Sequence, residues 1–343
     1  MSAESRNTAI SPTKSGEGIR FATSRGGLRL PLIDITHPAF ALDPSPEVLE
    51  GIVALALAEL ERRKALPDPA LGLALRDSVL ASGIASAKGG YLSGLATYML
   101  KLGPDNLGEG WAKDIDRMIA ASLPCFSARL RLQTTARLLA ADLGSRLAAA
   151  PGRKLRLINV AGGCAADSYN ALLLLGKDRP ELLEDREIEI LVLDIDEEGP
   201  AFGREAIAAL SAEASPLSGL RLNYRHVGFD WSSPAGPGIL ARELSEEGSI
   251  VAASSEGGLF EYGSDEEIGR MLETFGQHAG PEASFVGSLS RMDGVAGRLN
   301  GGSGAAIRCW KPGEFARLVT GAGWRIDRGT DCPLSHIVLL KKG

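Results

Sequence analysis

Beyond Pro151-Gly152 the sequence repeats one unit: a short apolar run, closed by glycine or a carboxylate, then a helical pattern. LRLINVAG (155–162) is such a run, and a helix follows from Asp167 to about Leu175. IEILVLDID (188–196), a helix over 197–213, GLRLNYRHVGF (219–229) and GSIVAAS (248–254) come next. A helix over 264–279, ASFVGSLS (283–290), a helix over 312–322 and strands near 324–330 and 334–341 complete the series. Strands alternating with helices predict an α/β fold, with a mostly parallel sheet, right-handed crossovers and helices on both faces. Only a few residues separate the last two strands. That is too few for a parallel crossover, so they are predicted to close the sheet as an antiparallel hairpin.

The chain before Pro151 is different in kind. Residues 1–18 are polar and read as a flexible tail, and 19–150 as a helical domain ahead of the sheet domain at 151–343. From Arg20 to Phe40 short extended pieces are expected. Ser45 and Pro46 then supply a cap and a first helical residue for a helix running to Pro67. Further helices are predicted over 69–82, 90–102, 109–122 and 127–149, with Pro and Gly marking the gaps. Such helices offer either a lid or a homodimer contact.

The net charge is −6 and there is no basic run beyond Arg62-Arg63-Lys64, which argues against a nucleic-acid or anionic-membrane partner. No apolar stretch reaches the roughly 18 residues of a membrane span. The four cysteines and four histidines are scattered without the short spacing of metal ligands, so no metal is expected. Free thiols and a polar start without a signal-like apolar core point to the cytoplasm.

Four segments carry the chemistry, each at the carboxyl end of a predicted strand, where open α/β sheets bind ligands. The first turn reads NVAGGCAADS, in which Gly162 and Gly163 let backbone approach a ligand. It lacks the GxGxxG of dinucleotide enzymes, and the closing hairpin replaces their sixth parallel strand. Asp194 ends the second strand and can accept both hydroxyls of a ribose. Asp196 competes for that role, and either carboxylate could instead cap the next helix. Asp230, with Phe229 or Trp231, follows the third strand and suits an adenine amino group and ring. The loop from Ser254 to Ser264 places Glu256, Glu261 and Tyr262 beside the crevice. Each segment alone also reads as an ordinary turn, cap or loop.

In this order the four segments resemble the motifs of class I S-adenosylmethionine (AdoMet)-dependent methyltransferases, over about residues 150–343. The resemblance implies a Rossmann-like fold, AdoMet as ligand and a small-molecule substrate. Gly162 and Gly163, with Asp167, Ser168 and Ser254, would lie along the methionine part, Asp194 on the ribose, and Asp230 and Trp231 at the adenine. AGGCAADS stands where the family more often has acidic-x-Gly-x-Gly. Glu256, Glu261, Tyr262 and Tyr91 would be the catalytic candidates, with His226 a further base. The helical region would be a lid, Tyr91 and Tyr98 sharing a helix face toward the ligand and Arg129, Arg131 and Gln133 meeting its carboxylate. Methyl transfer is the leading expectation. The segments SSEGGLFEYGSD, GGCAADSYNAL and THPAF also resemble a small bacterial branch that cyclises AdoMet to azetidine-2-carboxylate, releasing methylthioadenosine. There the ligand's own amine is the nucleophile. An AdoMet-binding protein without catalysis is the third reading.

Overall fold

A computed structural model describes residues 18–65, 75–86, 91–108, 110–246, 248–300 and 307–343. The described chain opens with a hairpin, β1 (Phe21–Thr23) and β2 (Arg29–Pro31). Helices α1 (Pro46–Ala65), α2 (Val79–Ala85), α3 (Gly94–Leu100), α4 (Asp114–Ala120) and α5 (Leu123–Ala149) follow. The expected tail lies almost wholly outside the described residues, as does the first half of the helix expected over 69–82. Its described part gives α2, begun by Ser78, whose hydroxyl accepts the Ala81 N–H and donates to buried Asp116. α5 starts four residues before the predicted 127, because Pro124 sits in the first turn, where a missing N–H costs nothing.

The sheet follows from burial. All six residues of β3 (Leu155–Val160) are buried, as expected of a central strand covered on both faces. α6 (Ala166–Asp178) leads to β4 (Glu187–Asp194), and α7 (Glu198–Ser211) to β5 (Arg221–Gly228). α8 (Gly236–Leu244) precedes β6 (Ile250–Ser255). A short α9 (Leu259–Tyr262) and α10 (Asp265–His278) precede β7 (Ser284–Arg291). α11 (Gly294–Asn300), β8 (Cys309–Trp310), α12 (Pro312–Gly321), β9 (Trp324–Asp331) and β10 (Ser335–Lys342) complete the described elements. The strand order is β5-β4-β3-β6-β7-β10-β9, with β8 beside β7. β10 is antiparallel to both β7 and β9, and the other pairs are parallel. This is the Rossmann-like sheet with an antiparallel closing hairpin that the sequence predicts. Its order reverses between β3 and β6, so the crevice opens at their carboxyl ends.

Alternation along β3 divides the core. Leu155 and Leu157 join one apolar layer, Ile158 and Val160 the other. The first layer also contains Leu30, Ile33, Tyr98 and Leu139, so the N-terminal elements share a core with one face of the sheet. Among the described residues no helix is long and apolar enough to cross a membrane.

Three contacts hold the N-terminal elements there. Asn170 of α6 accepts the Ile35 N–H and donates to the Ile33 carbonyl. The Tyr98 hydroxyl, which accepts the Ile33 N–H and donates to the Pro31 carbonyl, lies 3.4 Å from the Tyr169 hydroxyl of α6, and its ring lies 4.9 Å from that of Phe202 on α7. Tyr98 is therefore a core residue and does not share a ligand-facing surface with Tyr91, which precedes α3 and is 46% exposed. At the third contact, Gly94 rests on Gly163 and Gly199. A Cβ on Gly94 would stand 2.6 Å from the Gly163 Cα and 3.0 Å from that of Gly199. The Asp196 carboxylate accepts N–H bonds from both Gly94 and Gly199, at 2.9 and 2.8 Å. Gly94→Ala should push α3 off the turn, costing about 1–3 kcal/mol. Hydrogen exchange should rise over residues 91–102 before it rises in β3.

Candidate active site at the sheet switch point

Between β3 and α6 the backbone turns through left-handed residues at Ala161 (φ 52°), Gly163 (φ 57°) and Ala165 (φ 54°). Alanines in this region are strained by about 1 kcal/mol or more, a cost borne where packing fixes the turn. Gly162 is required, since a Cβ there would meet the Asn159 side chain at 2.2 Å.

Asp194 is oriented from this turn. One carboxylate oxygen accepts the Gly163 N–H and the other the Asp196 N–H, both at 2.9 Å. Burial pushes its pKa up to about 6, against the lowering effect of those two N–H groups. Ile195 beside it is 70% exposed, an apolar surface between two carboxylates that sequence reasoning did not single out. Strand β4 ends at Asp194, two residues short of the expectation, and Asp196 serves the docking of α3 and α7. His226 places its Nε2 2.9 Å from the Asp194 carbonyl.

Asp230 is exposed and accepts the Ser232 N–H and hydroxyl, an Asx turn at the end of β5. Trp231 packs half-buried on the second core layer, whereas Phe229 is a core residue at 2% exposure.

At the other end of the turn lie Asn159, Asp167, Ser168 and Ser254, all buried. Asn159 donates to an Asp167 oxygen at 2.7 Å and to Ser254 Oγ at 3.3 Å. The same Asp167 oxygen accepts the Ser168 N–H at 2.8 Å. Burial, reinforced by the nearby Glu256 charge, pushes the Asp167 pKa up to about 6.

The loop after β6 carries a buried ion cluster. Lys101, just beyond α3, and Arg131 of α5 both donate to Glu256. Arg131 also reaches Glu261, at 3.2 Å, and Ser288 donates to Glu261 at 2.9 Å. Burial alone would raise the Glu256 pKa, but the two cations hold it below the usual carboxylate range. The Arg131 guanidinium is stabilised in its charged form by Glu261 and Glu256 against the opposing effect of burial. Tyr262 stacks at 4.9 Å on Tyr91, and burial pushes its phenol up to about 12.

Of the polar residues expected on α5, Arg131 thus meets protein carboxylates, Gln133 bonds the Leu42 backbone, and Arg129 lies against Gly103. Lys101 and Ser288 had no signal in the sequence, being single residues whose partners lie far along the chain. Tyr91, Glu256, Glu261, Tyr262, Asp167, Ser168, Ser254, Gly162, Gly163 and Asp194 gather around the switch point and its loops. Asp230 and Trp231 stand on the rim beside β5.

No family model and no curated protein matches the sequence. Solved structures to which the chain is similar include the 1,6-didemethyltoxoflavin-N1-methyltransferase of Burkholderia thailandensis, solved with 1,6-didemethyltoxoflavin and S-adenosylhomocysteine. It is 17% identical, over 62% of this chain and 78% of that one, with a TM-score of 0.38. The magnesium protoporphyrin IX methyltransferase of Synechocystis PCC 6803 is 16% identical, over 69% and 90%, with a TM-score of 0.43. Mitomycin 7-O-methyltransferase is 13% identical, over 86% and 75%, with a TM-score of 0.40.

The two raised carboxyls set a pH dependence. Each has a native pKa of about 6 against an ordinary 3.8, so the native state binds more protons between those values. Their contribution to stability therefore falls as pH rises through that window. Asp194→Asn should lower the Tm of the ligand-free protein at pH 4, because its amide nitrogen cannot accept the second of the two backbone N–H groups, by roughly 2–4 °C per kcal/mol lost. In a calorimetric pH series the deficit should shrink as pH rises through 6, because the variant has no carboxyl to ionise in that window.

Proposed function

We propose that the chain binds AdoMet at the switch point and serves methyl transfer to a small molecule. The observation that carries this is Asp194: a buried carboxylate at the end of the second parallel strand, aimed by the Gly163 N–H, with Ile195 exposed beside it. A carboxylate so fixed suits the paired hydroxyls of a ribose, and an exposed isoleucine suits the face of a purine. Asp230 and Trp231 stand at the neighbouring strand end, where an adenine would extend. Gly162 and Gly163 let the turn pack closely on Asn159 and Gly94, and Asp167, Ser168 and Ser254 would hold the methionine part.

Bound AdoMet supplies a methyl group on a sulfonium, already activated for transfer. The protein's share is to align the reactants and keep water out. The N-terminal elements docked on Gly163 supply the cover, and the Tyr91–Tyr262 pair offers aromatic faces that attract cations. Glu256 and Glu261 act through Lys101 and Arg131, fixing the α3–α5 edge of the site.

The alternative reading is use of AdoMet without a second substrate. The two loop carboxylates are occupied by protein cations, and the carboxylate with an open oxygen, Asp167, lies where the methionine part would be held. Under that reading the ligand's own amine closes an azetidine ring and methylthioadenosine leaves.

Product analysis separates the two. Purified protein given AdoMet and a small-molecule extract should form S-adenosylhomocysteine, and AdoMet alone should give no methylthioadenosine. Methylthioadenosine from AdoMet alone would replace methyl transfer by cyclisation. By calorimetric titration, Asp194→Ala should weaken AdoMet binding about 10- to 100-fold, the loss of a charged hydrogen-bond acceptor. Unchanged affinity would remove Asp194 from the ribose.

A further inference from the structure

Helix α1 carries apolar residues on two opposite sides. Its inner side, with Ile52, Val53 and Ala56, packs against a small cluster of Leu123, Ala296 and Leu334. Its outer side carries Val48, 52% exposed, and Leu55, 73% exposed. None of its residues whose burial is described is buried. A helix draws most of its stability from packed apolar surface, and one that is apolar round its circumference belongs in an interior. This 20-residue helix is covered by the described residues on one side only.

The outer side has the rhythm of a helix-pairing seam. Val48, Gly51, Leu55, Ala58 and Arg62 are all exposed and recur at intervals of three and four. Gly51 and Ala58 stand one turn to either side of Leu55, so a second helix can approach closely around that leucine. Charge then selects the neighbour. Residues 46–51 carry two acids, Glu47 and Glu50, and no base, whereas 59–64 carry three bases and two acids. Arg62 pairs with Glu59 within the helix, and the end keeps a net positive sign. Opposite signs at its two ends make the helix complementary to its own reversed copy, while a parallel copy would set like charge against like.

We propose that α1 is the contact of a homodimer, pairing antiparallel with α1 of a second copy about a two-fold axis at Leu55. The pairing is independent of the AdoMet reading. Leu55 meets the partner's Leu55 on the axis, Gly51 meets the partner's Ala58, and Val48 lies along the partner's Arg62. Each acidic start faces a basic end. Because one patch is used on both copies, the assembly closes at two.

The test uses the full chain in sedimentation equilibrium, followed by oxidative cross-linking. Wild type should sediment as a dimer at high micromolar concentration. Leu55→Glu should raise the dissociation constant at least about 100-fold, since two leucines lose their burial and two carboxylates meet on the axis. Mild oxidation of Leu55→Cys should link two copies through that position, whereas Val48→Cys should stay unlinked. In the reversed pair the two copies of position 48 lie about 20 Å apart along the helices, beyond the reach of a disulfide. Wild type oxidised alongside reports any linkage through the native cysteines. A monomeric wild type at that concentration, or a dimer indifferent to Leu55→Glu, would overturn the proposal. Linkage through both positions, as a parallel pair would give, or through neither would overturn it as well. Sedimentation of wild type and the two cysteine variants needs no charged substitution, so the test holds even if Leu55→Glu fails to fold.

Discussion

The backbone contact of Gly94 with Gly163 and Gly199 governs the rest of this molecule. Three glycines allow one turn and two helix starts to meet without side chains between them, and Asp196 ties two of their N–H groups together. The direction of α3 follows from that contact, and with it the position of Lys101 at the helix end. Tyr91 is brought to Tyr262 by the same docking. Because Asp196 is used in this way, Asp194 is the carboxylate of the pair left to bond the glycine turn, through the Gly163 N–H.

The ion cluster depends on this docking in turn. Buried pairs add little net stability relative to apolar side chains, but removal of one partner is severe, because a charge is left without compensation. Glu256 and Glu261 sit on the sheet side, Lys101 and Arg131 on the helical side. The contact between the two regions is therefore specific rather than merely adhesive: only a correctly placed α3 and α5 neutralise the loop. A closed apolar layer below, shared by Tyr98, Leu139 and the first face of the sheet, supplies the larger share of the adhesion.

Much of the fold was legible because it obeys simple periodicity. Apolar runs such as LRLINV and EIEILVLD could only be buried strands, and the short gap before Ser335 forced a hairpin. Elements were missed where punctuation misled. Pro237 lies in the first turn of α8, where proline is tolerated, but PAGPG reads as a loop. The strand ends were legible too, and with them Gly162, Gly163 and Asp194. Pairings were not: Lys101 and Glu256 are 155 positions apart, and nothing local marks either as the other's partner. Tyr98 shows the converse error. Its seven-residue spacing from Tyr91 suggested a common helix face, but α3 begins only at Gly94.

The charge division across the cluster has a bearing on how such a protein can change over generations. Cations from the helical region answer anions from the sheet region, so neither half can be exchanged for a relative's without its counterpart. A chimera joined at Pro151 would inherit Glu256 and Glu261 from one parent and Lys101 and Arg131 from the other. It would remain neutral inside only where both parents had kept the same arrangement. Sequence change in a chain of this build would therefore accumulate at positions outside the cluster, such as the strand-end rim at Ile195, Asp230 and Trp231, before it could proceed by wholesale replacement of the N-terminal helices.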